Sequence, residues 1–87
     1  MFIMTDMDLD NDMMALGRQI REARKQRGLR QADIAKLISI RRQIVSELER
    51  GVYKGSLSRA MEVLRAMGLR LVLEPVRFPT LEELSDE

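Results

Sequence analysis

Gln31-Ala32-Asp33-Ile34-Ala35-Lys36-Leu37-Ile38-Ser39-Ile40-Arg41-Arg42-Gln43-Ile44-Val45-Ser46-Glu47-Leu48-Glu49-Arg50-Gly51 is the stretch that decides the fold. Its apolar residues sit where two short crossed helices need them. Ile34 and Ile38 recur at helical spacing and give the first helix one inward face. Ala35, between them, is small enough to let a second helix cross closely. Ile40 anchors the turn. Val45 and Leu48 form the inner face of the second helix, and Gly51 stops it. The pattern predicts helices from Gln31 to about Ile38 and from about Arg42 to Arg50.

Upstream, Leu16, Ile20 and Ala23 fall on one helical face from Met13 onward. Arg18, Arg21, Lys25 and Arg27 lie mostly on the other side, and Gly28 ends the run. Residues 1–12 carry four alternating Asp and no hydrophobic period. They read as a disordered acidic segment, with Asn11 or Asp12 capping the helix that follows. Downstream, residues 51–55 form a loop and Ser56 is a fair N-cap. Leu57, Ala60, Met61, Leu64 and Met67 give the apolar positions of a further helix that Gly68 ends. Leu69, Leu71 and Leu73 then alternate with Arg70, Val72 and Glu74, predicting a β-strand ended by Pro75. No second stretch alternates this way, so its expected partner is the same strand of another copy. Residues 78–87 read as an acidic tail, in which Thr80 and Glu83 could cap one helical turn. The chain thus divides into residues 1–12, a domain at 13–77 and a tail at 78–87. The expected fold is mainly α, with four to five helices and one C-terminal strand pairing across a dimer.

A chain of 87 residues supports one small domain. It has no Cys and no His, which removes disulfides, thiol chemistry, most zinc sites and the commonest general base. Neither an enzyme nor a metal or other cofactor is expected. The chain has neither an apolar run of membrane-spanning length nor a signal-peptide pattern, so no membrane association is expected and the cytoplasm is the expected compartment. The formal charge of +1 conceals an uneven distribution. All 15 Lys and Arg lie between Arg18 and Arg77. Residues 13–77 hold only six acids and carry +9, while each acidic end carries −4. A basic body of this kind suits a polyanionic ligand.

Two short helices joined by a tight turn, the second lying across the first, form the helix-turn-helix that reads DNA. The run Leu16-Gly17-Arg18-Gln19-Ile20-Arg21-Glu22-Ala23-Arg24-Lys25-Gln26-Arg27-Gly28-Leu29-Arg30-Gln31 resembles the opening of the lambda-repressor-like, Xre-type helix-turn-helix family. Ser46-Glu47-Leu48-Glu49-Arg50-Gly51 is similar to the end of that family's recognition helix. The likeness spans roughly residues 15–74. Its ending, a helix followed by Leu69-Arg70-Leu71-Val72-Leu73-Glu74, resembles HipB-like antitoxins, whose dimers share an intermolecular sheet.

The resemblance implies a repressor that binds a double-stranded DNA operator as a homodimer on an inverted repeat. It also implies a cognate toxin, of which a HipA-like kinase is the expected kind. Arg42, Gln43 and Glu47 would face base edges, with Arg41 and Ser46 beside them; for Glu47 a solvated helix residue is the alternative. The chemistry agrees, since Arg pairs with guanine, Gln with adenine, and Glu accepts from cytosine. Gln31 would hold a phosphate at the start of its helix. Arg18, Arg27, Arg30 and Lys54 are further phosphate candidates, with a solvated surface role as the alternative. Arg24 and Glu49 stand where the family has an ion pair. Leu69, Leu71, Val72 and Leu73 would form the dimer strand. Phe78, Leu81 and Leu84 in the tail could dock on a toxin, or the tail could serve in proteolysis or solubility.

The chain departs from the family at Arg30 and Arg41, where a capping Ser or Thr is usual, and at Ser39, where the turn usually has Gly. Two other readings stand beside the antitoxin. One is a stand-alone regulator, such as a phage repressor or restriction-system controller. The other is a protein-interaction module.

Overall fold

The computed structural model describes residues 9–75, which contain four helices: α1 (Leu9–Gln26), α2 (Gln31–Leu37), α3 (Arg42–Arg50) and α4 (Leu57–Ala66). α1 begins at Leu9, earlier than the hydrophobic period announces, so residues 9–12 belong to a helix rather than to a disordered segment. Asp10 and Asp12 lie in its first turn, where carboxylates favour the positive end of the helix dipole. The expected tail contacts of Phe78, Leu81 and Leu84, and the Thr80–Glu83 cap, lie outside the described residues.

All four helices end in the same way. The amide just past each helix bonds back three residues, and the next bonds back five. Gly28 and Leu29 do this at α1, Ser39 and Ile40 at α2, Gly51 and Val52 at α3, and Gly68 and Leu69 at α4. The motif needs a left-handed residue. Gly28, Gly51 and Gly68 supply φ of 68°, 78° and 75°, and at α2 Ser39 takes φ 59°. A side chain in that conformation costs about 1 kcal/mol relative to glycine.

Neither Arg30 nor Arg41 caps its helix with a side chain. At α2, Asp33 compensates: its Oδ2 accepts from the Arg30 amide at 2.7 Å, and the Asp33 and Ile34 amides donate to the Arg30 carbonyl. The bond from the Arg30 amide, followed by that from its side chain, holds the Asp33 carboxyl below its ordinary pKa. At α4 the Ser56 hydroxyl accepts from the Arg59 amide at 3.1 Å, as the sequence predicts.

Ile20, Ile34, Val45, Leu48, Val63 and Met67 are wholly buried, with Ala23, Ala35, Ala60 and Leu64 packed among them. α3 is the hub, lying against both α1 and α2, while α2 also touches α4. Ile38 and Ile40 pack against this core from the edge of the turn, as expected. On α4 the inward stripe is Ala60, Val63, Leu64 and Met67. Leu57, expected inside, is 64% exposed at the start of the helix, and Met61 also faces out. Val63 takes the place that the simple pattern gave to them.

Residues 69–75 form no strand in the single chain. A strand requires ladder bonds, and the expected partner is another copy. Leu69 packs on the core, Leu71 lines a groove with Met61 and Leu64, and Leu73 is 88% exposed. Of the three alternating leucines, only Leu69 packs on the core. Leu71, Val72 and Leu73 remain a run of exposed apolar side chains.

Candidate nucleic-acid interface

The inner face of α3, Val45 and Leu48, is wholly buried. This pins the helix and decides what its other face can do. Arg42, Gln43, Ser46, Glu47 and Arg50 share the opposite side, since residues three and four apart stack along a helix. Arg41, Arg42 and Gln43 are exposed, and Ser46 and Glu47 are half-buried. Gln43 Nε2 donates to Glu47 Oε2 at 3.0 Å, and Arg50 Nε donates to the Ser46 hydroxyl at 3.2 Å. Every residue expected at base edges therefore lies at or beside one outward face.

The rear of the same helix is clamped. Arg24 of α1 meets Glu49 in a two-pronged pair, Nε to Oε2 at 2.6 Å and Nη2 to Oε1 at 2.9 Å. Its Nη1 donates to the Leu29 carbonyl at 2.9 Å. The Glu49 and Arg24 side chains are only 4% and 11% exposed. Burial alone would push the Glu49 carboxyl up. Hydrogen bonds from Arg24 and Gln31, with the charges of Arg24 and Arg21, outweigh it and hold the group below its ordinary value. The bond to Glu49 likewise raises Arg24. The ion pair thus ties α1, the α1–α2 turn and α3 into one unit.

Gln31 is part of this clamp, a contact that spacing alone does not announce. Its Nε2 donates to Glu49 Oε1 at 3.0 Å. An amide nitrogen carries two donors, so this bond leaves Gln31 one N–H for a phosphate at the start of α2. The other phosphate candidates are scattered. Arg30 stands exposed at the start of α2 with a 3.4 Å contact to Asp33. Arg18 on α1 and Lys54 after α3 are exposed. Arg27 bonds the Ala23 carbonyl at 2.9 Å and lies against Gly68, joining the ends of α1 and α4 rather than the α2–α3 surface.

One residue of the surface has no signature in the sequence. Arg59, in the first turn of α4, lines an open groove of about 490 Å³ with Ser39, Ile40, Arg41, Gln43, Ile44 and Glu47. Glu62 accepts from its Nη1 at 2.8 Å. Only the tertiary packing that sets α4 against α2 brings it to the edge of this groove. Among the described residues, no group of His, Cys, Asp and Glu could hold a metal ion, and no helix is long and apolar enough to cross a membrane.

Comparison with known proteins agrees with this architecture. The helix-turn-helix family model matches residues 20–73. An uncharacterised helix-turn-helix-type transcriptional regulator of Methanothermobacter thermautotrophicus is 43% identical over 49 residues, covering 56% of this chain and 71% of that protein. The restriction-modification controller protein C.AhdI from Aeromonas hydrophila superposes with a TM-score of 0.62 at 30% identity, covering 69% of this chain and 91% of its own. A HipB variant, solved as its O2 20mer complex, superposes with a TM-score of 0.66 at 25% identity, covering 74% of this chain and 89% of its own. With its two crossed helices, its part-buried Arg24–Glu49 clamp and a family match across most of its described length, the chain belongs to the lambda-repressor-like, Xre-type helix-turn-helix family.

Proposed function

We propose that this protein is a sequence-specific repressor that binds an inverted-repeat operator as a dimer, with α3 in the major groove of each half-site. The observation that carries the reading is the two-sided nature of α3. Val45 and Leu48 are wholly buried, while Arg41, Arg42 and Gln43 project from a helix that Glu49 clamps from behind. A rigid helix presenting guanine- and adenine-matching side chains is what direct readout needs. The excess of basic residues over 13–77 adds the sequence-independent attraction to phosphate. The proposed role is not enzymatic.

The dimer reading rests on Leu71, Val72 and Leu73, an exposed apolar run whose backbone groups bond to none of the described residues. Pairing this segment about a two-fold axis would give an antiparallel two-stranded sheet and set the distance between the two recognition helices. Val72→Pro removes an amide donor from its centre. The expected result is a shift to monomer in analytical ultracentrifugation and a steep loss of affinity for DNA from upstream of the protein's own gene. A variant that stays dimeric and binds normally would show that another surface holds the dimer.

Within this reading the finer role is that of the antitoxin in a toxin–antitoxin pair. The likeness to HipB over 74% of the chain supports it, together with the apolar segment after α4. The toxin would be the product of the adjacent reading frame, with a HipA-like kinase the expected kind. Relief of that product's toxicity by co-expression tests the role. C.AhdI, at 30% identity, supports a second reading as a restriction-modification controller. A neighbouring methyltransferase or nuclease gene would favour it.

A further inference from the structure

We infer that Glu47 does not read a base itself but sets the amide of Gln43 for adenine, an inference that rests on the DNA-binding reading above. A carboxylate on a surface that meets a polyanion is at first sight misplaced, because it repels phosphate. Its contact resolves the difficulty. Gln43 Nε2 donates to Glu47 Oε2 at 3.0 Å, one helical turn along α3. An ionised carboxylate only accepts, so the nitrogen end of the carboxamide must face it. That settles which way the amide points and leaves Gln43 its oxygen and one N–H. Adenine presents a matching N6 donor and N7 acceptor in the major groove.

The surroundings suit this division of labour. Gln43 is exposed, whereas Glu47 is half-buried beside it. Both line the groove that also holds Arg41 and Arg59, so the Gln43–Glu47 pair sits on the surface where the duplex would approach, with basic side chains on the same groove. Removing the carboxylate frees the amide to turn, and the match to adenine is then no longer held in advance. Glu47 is thus a positioning residue, and its effect should appear only at the base that Gln43 reads.

Selection of bound duplexes from a randomised pool tests this with wild type, Gln43→Ala, Glu47→Ala, Glu47→Gln and the double alanine variant. The expected result is that Gln43→Ala and Glu47→Ala lose preference for adenine at the same single position, by roughly tenfold. The double variant should be no less selective than Gln43→Ala. Glu47→Gln, whose carboxamide can accept from Gln43 or donate to it and so no longer fixes which way the amide points, should keep only part of the preference. Loss at a different position in Glu47→Ala, or adenine preference retained there, overturns the positioning role while leaving the DNA reading intact. A wild type with no base preference anywhere overturns the DNA reading, and the inference with it.

Discussion

Gly17→Ala is expected to destabilise the fold by about 3 kcal/mol or more, the opposite of what helix propensity implies. In an open helix interior, alanine is favoured over glycine by about 1 kcal/mol. At position 17 an added Cβ would press on the Leu48 carbonyl oxygen and lie 2.5 Å from the Glu49 oxygen and 2.8 Å from its carbonyl carbon. These are backbone atoms of α3 and cannot rotate aside. α1 and α3 would have to separate where Ile20 and Leu48 are wholly buried and just behind the Arg24–Glu49 pair. Overpacking a core costs about 1–3 kcal/mol when side chains can yield, and backbone yields less. A domain of this size has only about 5–10 kcal/mol in total. Urea unfolding should show a much lower midpoint. A variant as stable as wild type would mean that the two helices do not cross at Gly17.

Glu49→Ala is expected to cost about 3 kcal/mol, because it strands Arg24 in a nearly closed site and takes from Gln31 its acceptor. The lower end of the range for breaking buried pairs applies, since the Arg24 side chain keeps 11% of its surface exposed. For a chain this short the melting temperature should fall by about 12–24 °C. The same pair makes stability depend on acid. Glu49 is held below its ordinary pKa in the folded state, so its contribution is fully present above the ordinary carboxylate range. It fades as pH falls through the depressed value, and Glu49→Ala should lack that part of the acid sensitivity. A variant that melts with wild type across this range would contradict the clamp.

The parts of the fold legible in the sequence are those whose residues report on their own neighbourhood. Ile34, Ala35, Val45 and Leu48 mark an inward face by spacing alone, and all four are buried. Gly28, Gly51 and Gly68 mark helix ends because left-handed backbone selects for glycine. The pairing of Arg24 with Glu49, 25 positions apart, came from family likeness and not from any spacing rule. Gly17 reads as a weak helix former until the crossing partner is known. Asp10 and Asp12 look like part of a disordered acidic stretch, yet they sit in a helical first turn, where the dipole favours them. Leu57 and Met61 satisfy the helical period of α4 but face out, and Val63 is buried in their stead. At the interface, the outward face of α3 follows directly from its inward one. The Gln43–Glu47 bond was open to an i,i+4 reading, whereas Arg59 and the Gln31–Glu49 contact arise only from tertiary packing.

Arg42 offers the most direct test of the account, because it begins α3 exposed and on the outward face. The measurement is the base preference of wild-type and Arg42→Ala proteins, each selecting from a randomised duplex pool at fixed salt. The account predicts a defined operator for wild type. It predicts that Arg42→Ala loses preference for guanine at one position of each half-site, at a cost of about 1–3 kcal/mol, with the melting temperature unchanged. An Arg42→Ala protein that keeps the full wild-type preference would show that α3 is not the element that reads DNA.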